Sequence, residues 1–237
     1  MKPIPLIASL VLGLSALSHA GGAAAAPIVL STLPSWDGNE SIGDFGAAGF
    51  SAWGQFFRAP TGVNRMLDFT FVLSDALQGG GTTPVPVTFQ AYLVPYDIAA
   101  RRITGPAVYT SAPVTVPLTD GLQFVPYTFD MDVEVTAASG YLMFMFANNY
   151  DLRIPLDSRL RVATAGESLA VGAYNTVLDA DASLDTVLAA QWFSLAGPDL
   201  AFSATFDNRP TDVPEPGTLA LLAGAGLAGG WMRRRRA

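Results

Sequence analysis

The sequence predicts an all-β body, an antiparallel sandwich, between two apolar termini. Leu67, Phe69, Phe71 and Leu73 alternate with Asp68, Thr70 and Val72, and Val87, Phe89, Ala91 and Leu93 alternate with Thr88, Gln90, Tyr92 and Val94. Side chains on a strand point to opposite faces in turn, so this period of two marks strands. Gly79-Gly80-Gly81, Thr119-Asp120-Gly121, Ser139-Gly140 and Gly197-Pro198-Asp199 punctuate the chain as turns. The body shows little helical periodicity. Many short strands separated by turns pack as two sheets, so a jelly-roll or related Greek-key arrangement is expected.

The elements follow in order. Met1-Lys2, an apolar run from Ile4 to Leu17 and then small residues form the layout of a secretory signal peptide. Its apolar core is too short for a permanent span. Small residues at −3 and −1 occur in Ser18-His19-Ala20 and Ala23-Ala24-Ala25, and the second site sets the boundary of a signal helix at 1–25. Strands are expected near 67–73, 87–94, 107–111, 123–129, 131–136, 141–147, 160–163, 168–174 and 199–206, within a body spanning 26–206. A linker, 207–216, then carries Pro214-Glu215-Pro216. Pro-x-Pro cannot continue a helix upstream, so this step is extended and accessible. Residues 217–232 are apolar and uncharged, about 24 Å as a helix. Arg233, Arg234, Arg235 and Arg236 follow within the tail 233–237. Arginines directly after an apolar segment stay cytoplasmic, which turns the body to the other side of the inner membrane.

Charge narrows the chemistry. The chain of 237 residues has 20 acidic and 13 basic residues, a formal charge of −7. Residues 26–212 hold nineteen acids against eight arginines and no cysteine, lysine or histidine. A Ser-His-Asp triad, a Cys-His pair, a Schiff-base lysine and a His- or Cys-ligated zinc site each lack an essential part. An acidic surface also does not suit nucleic acid, whose phosphates need a basic one. Carboxylate chemistry, oxygen-ligated calcium and plain binding stay open.

Three groups of residues are candidates for such roles. Asp130, Asp132 and Glu134 share one face of a strand, as half of a calcium site or as an acidic solvent face opposite Met131, Val133 and Val135. Asp179, Asp181, Ser183 and Asp185 start like a calcium loop. Leu184 and Ala190 stand where an EF-hand needs glycine and glutamate, which leaves an irregular calcium loop or a polar loop. Trp36, Trp53, Tyr92, Tyr96, Tyr109 and Trp192 would stack on sugar rings if grouped on a concave face, and would be core otherwise. Tyr96-Asp97 and Asn148-Asn149-Tyr150-Asp151 are loop-like clusters that suit either sugar contacts or turns. No spacing of acids singles out a glycosidase pair. No catalytic or metal-ligating residue is therefore assigned.

Two resemblances add to these observations. Pro214, Glu215 and Pro216, the apolar segment and the arginine cluster together resemble the PEP-CTERM sorting signal of Gram-negative bacteria. The resemblance implies recognition by an exosortase, a membrane transpeptidase-like enzyme, followed by removal or exchange of the tail. Gly54-Gln55-Phe56-Phe57-Arg58-Ala59-Pro60, Phe89-Gln90-Ala91-Tyr92, Thr104-Gly105-Pro106-Ala107-Val108-Tyr109-Thr110-Ser111 and Asp199-Leu200-Ala201-Phe202-Ser203-Ala204-Thr205-Phe206 resemble a jelly-roll ectodomain found with such tails. That likeness implies a Gly-Gln-x-Phe strand opening the sandwich and a Leu-Ala-Phe-x-Ala-x-Phe strand closing it, with no activity attached. The expected function is that of a non-enzymatic exported protein, held at the inner membrane before processing and then placed at the cell surface or in an extracellular polysaccharide matrix. Its body would be structural or carbohydrate-binding, with no cofactor unless calcium. A carboxylate-dependent polysaccharide hydrolase and a calcium-stabilised adhesin are the alternatives.

Overall fold

Ala52-Trp53-Gly54-Gln55-Phe56-Phe57 and Tyr141-Leu142-Met143-Phe144-Met145-Phe146 carry no charge and present apolar side chains to both sides. Strands of this kind need cover on both faces, and the fold supplies it. The computed structural model describes residues 26–46, 51–74, 86–117, 123–147, 160–166, 173–177, 183–194 and 199–209. The predicted signal helix (1–25), the linker beyond Arg209, the transmembrane helix (217–232) and the basic tail lie outside these residues. No helix among the described residues is long and apolar enough to cross a membrane.

The predicted all-β class holds, with antiparallel sheets and almost no helix. One sheet contains β1 (Ile28–Ser31), β2 (Ser41–Phe45), β4 (Arg65–Ser74), β9 (Phe124–Glu134), β11 (Leu160–Ala163) and β14 (Phe202–Asp207). β4 is flanked by β9 on one edge and by β14, then β1, on the other. β11 and β2 continue beside its C-terminal end. The other sheet is built on β3 (Ala52–Arg58), β5 (Val87–Asp97) and β10 (Gly140–Ala147). β10 pairs with both β3 and β5. β12 (Ala173–Val177) and β13 (Phe193–Ser194) extend it past β3. The short β6 (Arg102–Ile103), β7 (Tyr109–Thr110) and β8 (Val114–Val116) line the outer edge of β5.

The sheets share one apolar core. Phe57 on β3 meets Phe69 and Phe206 of the other sheet, with ring centres 5.8 and 5.9 Å apart, and Phe89 on β5 meets Phe45 and Phe129. The opposite face of the β3–β10–β5 sheet is also buried. Phe56, Tyr92, Tyr96, Leu142 and Phe144 pack there under Trp192 and the short helix α1 (Leu184–Ala189). Trp192 lies edge-on to Phe144 at 5.1 Å, and Val187 of α1 is fully buried. Gly54 is required where β3 passes β10, since a Cβ there would lie 2.7 Å from the Phe144 Cβ and 2.8 Å from the Met143 carbonyl oxygen.

One polar side chain crosses the shared core. Gln55 points inward from β3 and is completely buried. Its Nε2 donates to the carboxylate of the equally buried Asp199 at 2.8 Å and to the Phe56 carbonyl at 3.0 Å. Its Oε1 accepts from the Leu200 backbone N–H at 2.9 Å. Asp199 in turn offers its carbonyl to the N–H of Ala165, which follows β11. The amide thereby ties one sheet to the chain that enters β14 in the other.

Several expectations change. The strands expected at 123–129 and 131–136 are one strand, because a bulge between Met66 and Asp68 lets β9 continue along β4. The strand expected near 168–174 is described only as β12, and that near 107–111 shrinks to the two residues of β7. β1 and β2 precede the strand expected to open the body. Residues 184–189 form a helix where a loop was expected, because Ser183 caps it through the Thr186 N–H and its apolar side seals the sheet.

Gln55→Leu keeps the volume and removes both bonds that reach the other sheet. It should lower unfolding free energy by about 2–4 kcal/mol, read from chemical denaturation, since buried polar groups lose their partners.

Candidate functional site

The body hands its chain to the sorting segment at the end of β14. There the start of β4, the end of β9 and the end of β14 converge, with Arg65 opposite both Glu134 and Asp207. Arg65 Nε donates to Asp132 Oδ1 at 2.8 Å and Nη2 to the Asp132 carbonyl at 2.6 Å. Arg209 Nη1 donates to Asp132 Oδ2 and Nε to Asp207 Oδ2, each at 3.1 Å. Asp132 adopts a left-handed backbone, φ 46°, a conformation that aspartate tolerates better than most residues. Its carboxyl is held below the ordinary carboxylate value, chiefly by the Arg65 hydrogen bond. The Arg65 guanidinium is raised by the same contact.

Asn64 completes the arrangement. Its Nδ2 donates to the Arg209 carbonyl at 2.7 Å and its Oδ1 accepts from the Arg209 N–H at 3.1 Å. A side-chain amide carries the same donor and acceptor as a peptide, so Asn64 extends the ladder past the last residue of β14. Its backbone N–H also donates to the Asp207 carbonyl, and its own carbonyl accepts from Val135. The ion pairs are solvent-exposed and individually weak. Their effect is geometric: the chain is held up to Arg209. Pro214 is then five residues on, at most about 18 Å of extended chain.

Pro214, Glu215 and Pro216, and Arg233, Arg234, Arg235 and Arg236, lie outside the described residues. Asp130, Asp132 and Glu134 are all exposed, alternating with the half-buried Met131 and Val133. They form an acidic solvent face whose middle member is bound by arginines. Among the described residues no three His, Cys, Asp or Glu side chains gather as a metal site. Asp179 and Asp181 lie outside the described residues, while Ser183 and Asp185 serve α1 as cap and first-turn acid.

Four of the six candidate stacking aromatics divide between the two cores. Trp53 lies in the core between the sheets, whereas Tyr92, Tyr96 and Trp192 lie under α1. Tyr109 is half-buried. Trp36 is half-buried, donates Nε1 to the Glu40 carbonyl and lies edge-on to Phe124 at 5.3 Å. Asn148, Asn149, Tyr150 and Asp151 lie outside the described residues. A cleft of about 370 Å³ does open beside Tyr96 and Asp97, lined also by Phe56, Arg58, Ile98 and Thr104. Among the described lining residues Asp97 is the one carboxylate, and it accepts from the Ala99 and Ala100 N–H groups at 2.8 and 3.1 Å. Burial pushes the Tyr96 phenol up to about 12, so the hydroxyl stays protonated.

Residues 212–236 match the PEP-CTERM protein-sorting motif. The chain carries a PEP-CTERM sorting signal. It is thereby an exported protein sorted at the membrane, with exosortase as its processing partner. No curated protein matches the chain. Sequence reasoning found the signal but missed the Asn64–Arg65–Asp132–Arg209 cluster. Only the alternation of acids was visible, since Arg65 and Arg209 are 67 and 77 residues from Asp132.

Because the folded Asp132 value lies below the ordinary 3.8, its contribution to stability is complete above 3.8 and disappears as pH falls toward the lower folded value. Wild type should therefore have a higher urea midpoint than Asp132→Asn at pH 5, with the gap closing on acidification below 3.8. A gap independent of pH would contradict this linkage.

Proposed function

We propose that the chain is a non-enzymatic structural protein of the bacterial cell surface or extracellular matrix, delivered by its PEP-CTERM signal. In this reading the two sheets form a jelly-roll sandwich. The signal peptide takes the chain through the inner membrane, and segment 217–232 holds it there for exosortase. The match at residues 212–236 is the observation that carries the sorting half of the proposal. A structural role for the body is supported by the burial of Trp53, Tyr92, Tyr96 and Trp192, which leaves them no free face to offer a sugar ring. The single carboxylate of the cleft also favours a non-enzymatic body, because glycoside hydrolysis uses two flanking the scissile bond. The arginine contacts of Asp132 favour a body held without calcium.

A second reading rests on the same cleft. Arg58, Asp97 and Thr104 offer hydrogen-bonding groups around a space suited to one or two sugar units. In that case the body anchors itself to matrix polysaccharide without cleaving it.

Two experiments test these statements. In a strain without exosortase, the protein should accumulate at its full unprocessed mass in the membrane fraction. Normal processing there would end the sorting claim. On a glycan array, with and without calcium, the purified protein should give no signal above background. Binding that Asp97→Asn abolishes would replace the structural reading with the carbohydrate-binding one.

A further inference from the structure

The end of the body that carries the tail exit also gathers its cations. β3 finishes at Arg58 opposite Gly140, the first residue of β10. β5 finishes at Asp97 opposite Arg102, and its Pro95 pairs with Tyr141 beside the same Gly140. Glu134 of β9, opposite Arg65, leads through residues 135–139 into β10, and the Ala138 N–H donates to the Ala59 carbonyl just past Arg58. These registers bring Arg58, Arg65, Arg101, Arg102 and Arg209 to one end of the two-sheet body.

The carboxylates described at that end are Asp97, Asp132, Glu134 and Asp207, with Asp130 next along β9 and Asp185 on α1, which packs against β6. Asp132 and Asp207 are taken by Arg65 and Arg209, and Asp97 by backbone N–H groups. Arg58, Arg101 and Arg102 are exposed. Among the described residues elsewhere, Arg161 stands against Asp37, Glu40, Asp44 and the buried Asp199, with Asp68 opposite Asp130. Five of the six arginines among the described residues therefore sit where the sorting tail leaves the body.

Chain length sets the distance to the membrane. From Arg209 to Gly217, where the apolar segment begins, there are eight residues, at most about 28 Å when extended. β9 spans 11 residues, about 36 Å, to the other end of the body. An anionic headgroup layer repels an acidic domain and attracts exposed arginines within a screening length of about 8 Å at physiological salt.

We propose that, while the tail holds the chain, the body docks end-on against anionic lipid headgroups through Arg58, Arg101 and Arg102. The docking keeps the Pro214–Pro216 step in the narrow layer between body and bilayer, where a membrane enzyme would meet it. This inference rests on the reading of 217–232 as a membrane segment, but it concerns residues of the body.

The chain has no cysteine, so single labels can be introduced cleanly. The full chain, carrying a fluorophore at Thr61→Cys beside the arginine end or at Gln123→Cys at the other, is reconstituted with vesicles of phosphatidylcholine alone or mixed with phosphatidylglycerol. Both positions are exposed. A headgroup-attached quencher should act about twofold more strongly on the Thr61 label than on the Gln123 label when phosphatidylglycerol is present. The difference should vanish at about 1 M salt, where screening falls to about 3 Å. It should also vanish in Arg58→Gln/Arg101→Gln/Arg102→Gln. Equal quenching at the two positions, or a difference indifferent to anionic lipid and to salt, overturns end-on docking and leaves the sorting reading intact. Failure of the full chain to float with either vesicle overturns the membrane segment and the docking together.

Discussion

The contact on which the arrangement depends is the one between Gln55 and the Asp199-Leu200 backbone. Phenylalanine against phenylalanine is attractive over many relative positions, so an aromatic core alone leaves two sheets free to slide. A buried amide with specific donors and acceptors is satisfied at one position only. Gln55 therefore sets how the β3–β10–β5 sheet faces the sheet of β4 and β14. The strain relieved by Gly54 next to it lets the same strand approach Phe144 on β10.

The second constraint is that the β3–β10–β5 sheet is apolar on both faces. One face is used up by the other sheet. The remaining one would be an exposed apolar patch of the kind that drives association. A helix of six residues, α1, is too short to be stable alone. Packing of Leu184, Val187, Leu188 and Trp192 holds it there, and it in turn closes the patch. This cover also takes Tyr92, Tyr96 and Trp192 into a core instead of leaving them on an open face. Tyr92, Tyr96 and Phe144 line the face that α1 and Trp192 close.

Sorting is carried by a C-terminal segment whose meaning lies in order and composition, and it can be read linearly. The body contributes where it ends. Asn64 and the arginine–aspartate cluster carry the β14 ladder to Arg209, so the length of chain before Pro214 is fixed by folding and not only by sequence.

The sequence by itself determined the β class, the strands with one polar face, the absence of cysteine, lysine and histidine from residues 26–212 and the sorting signal, because each depends on local pattern or residue identity. β4 and β5 were legible from alternation. β3 was expected only from a resemblance to jelly-roll ectodomains, since a strand buried on both sides loses the period of two. The polarity of β9 was readable, but not that Asp132 belongs to Arg65 and Arg209, nor that Gln55 reaches Asp199. Only the tertiary structure decided those pairings, together with α1 and the gathering of arginines at one end. Each joins residues far apart in the chain, through sheet register that no local pattern encodes.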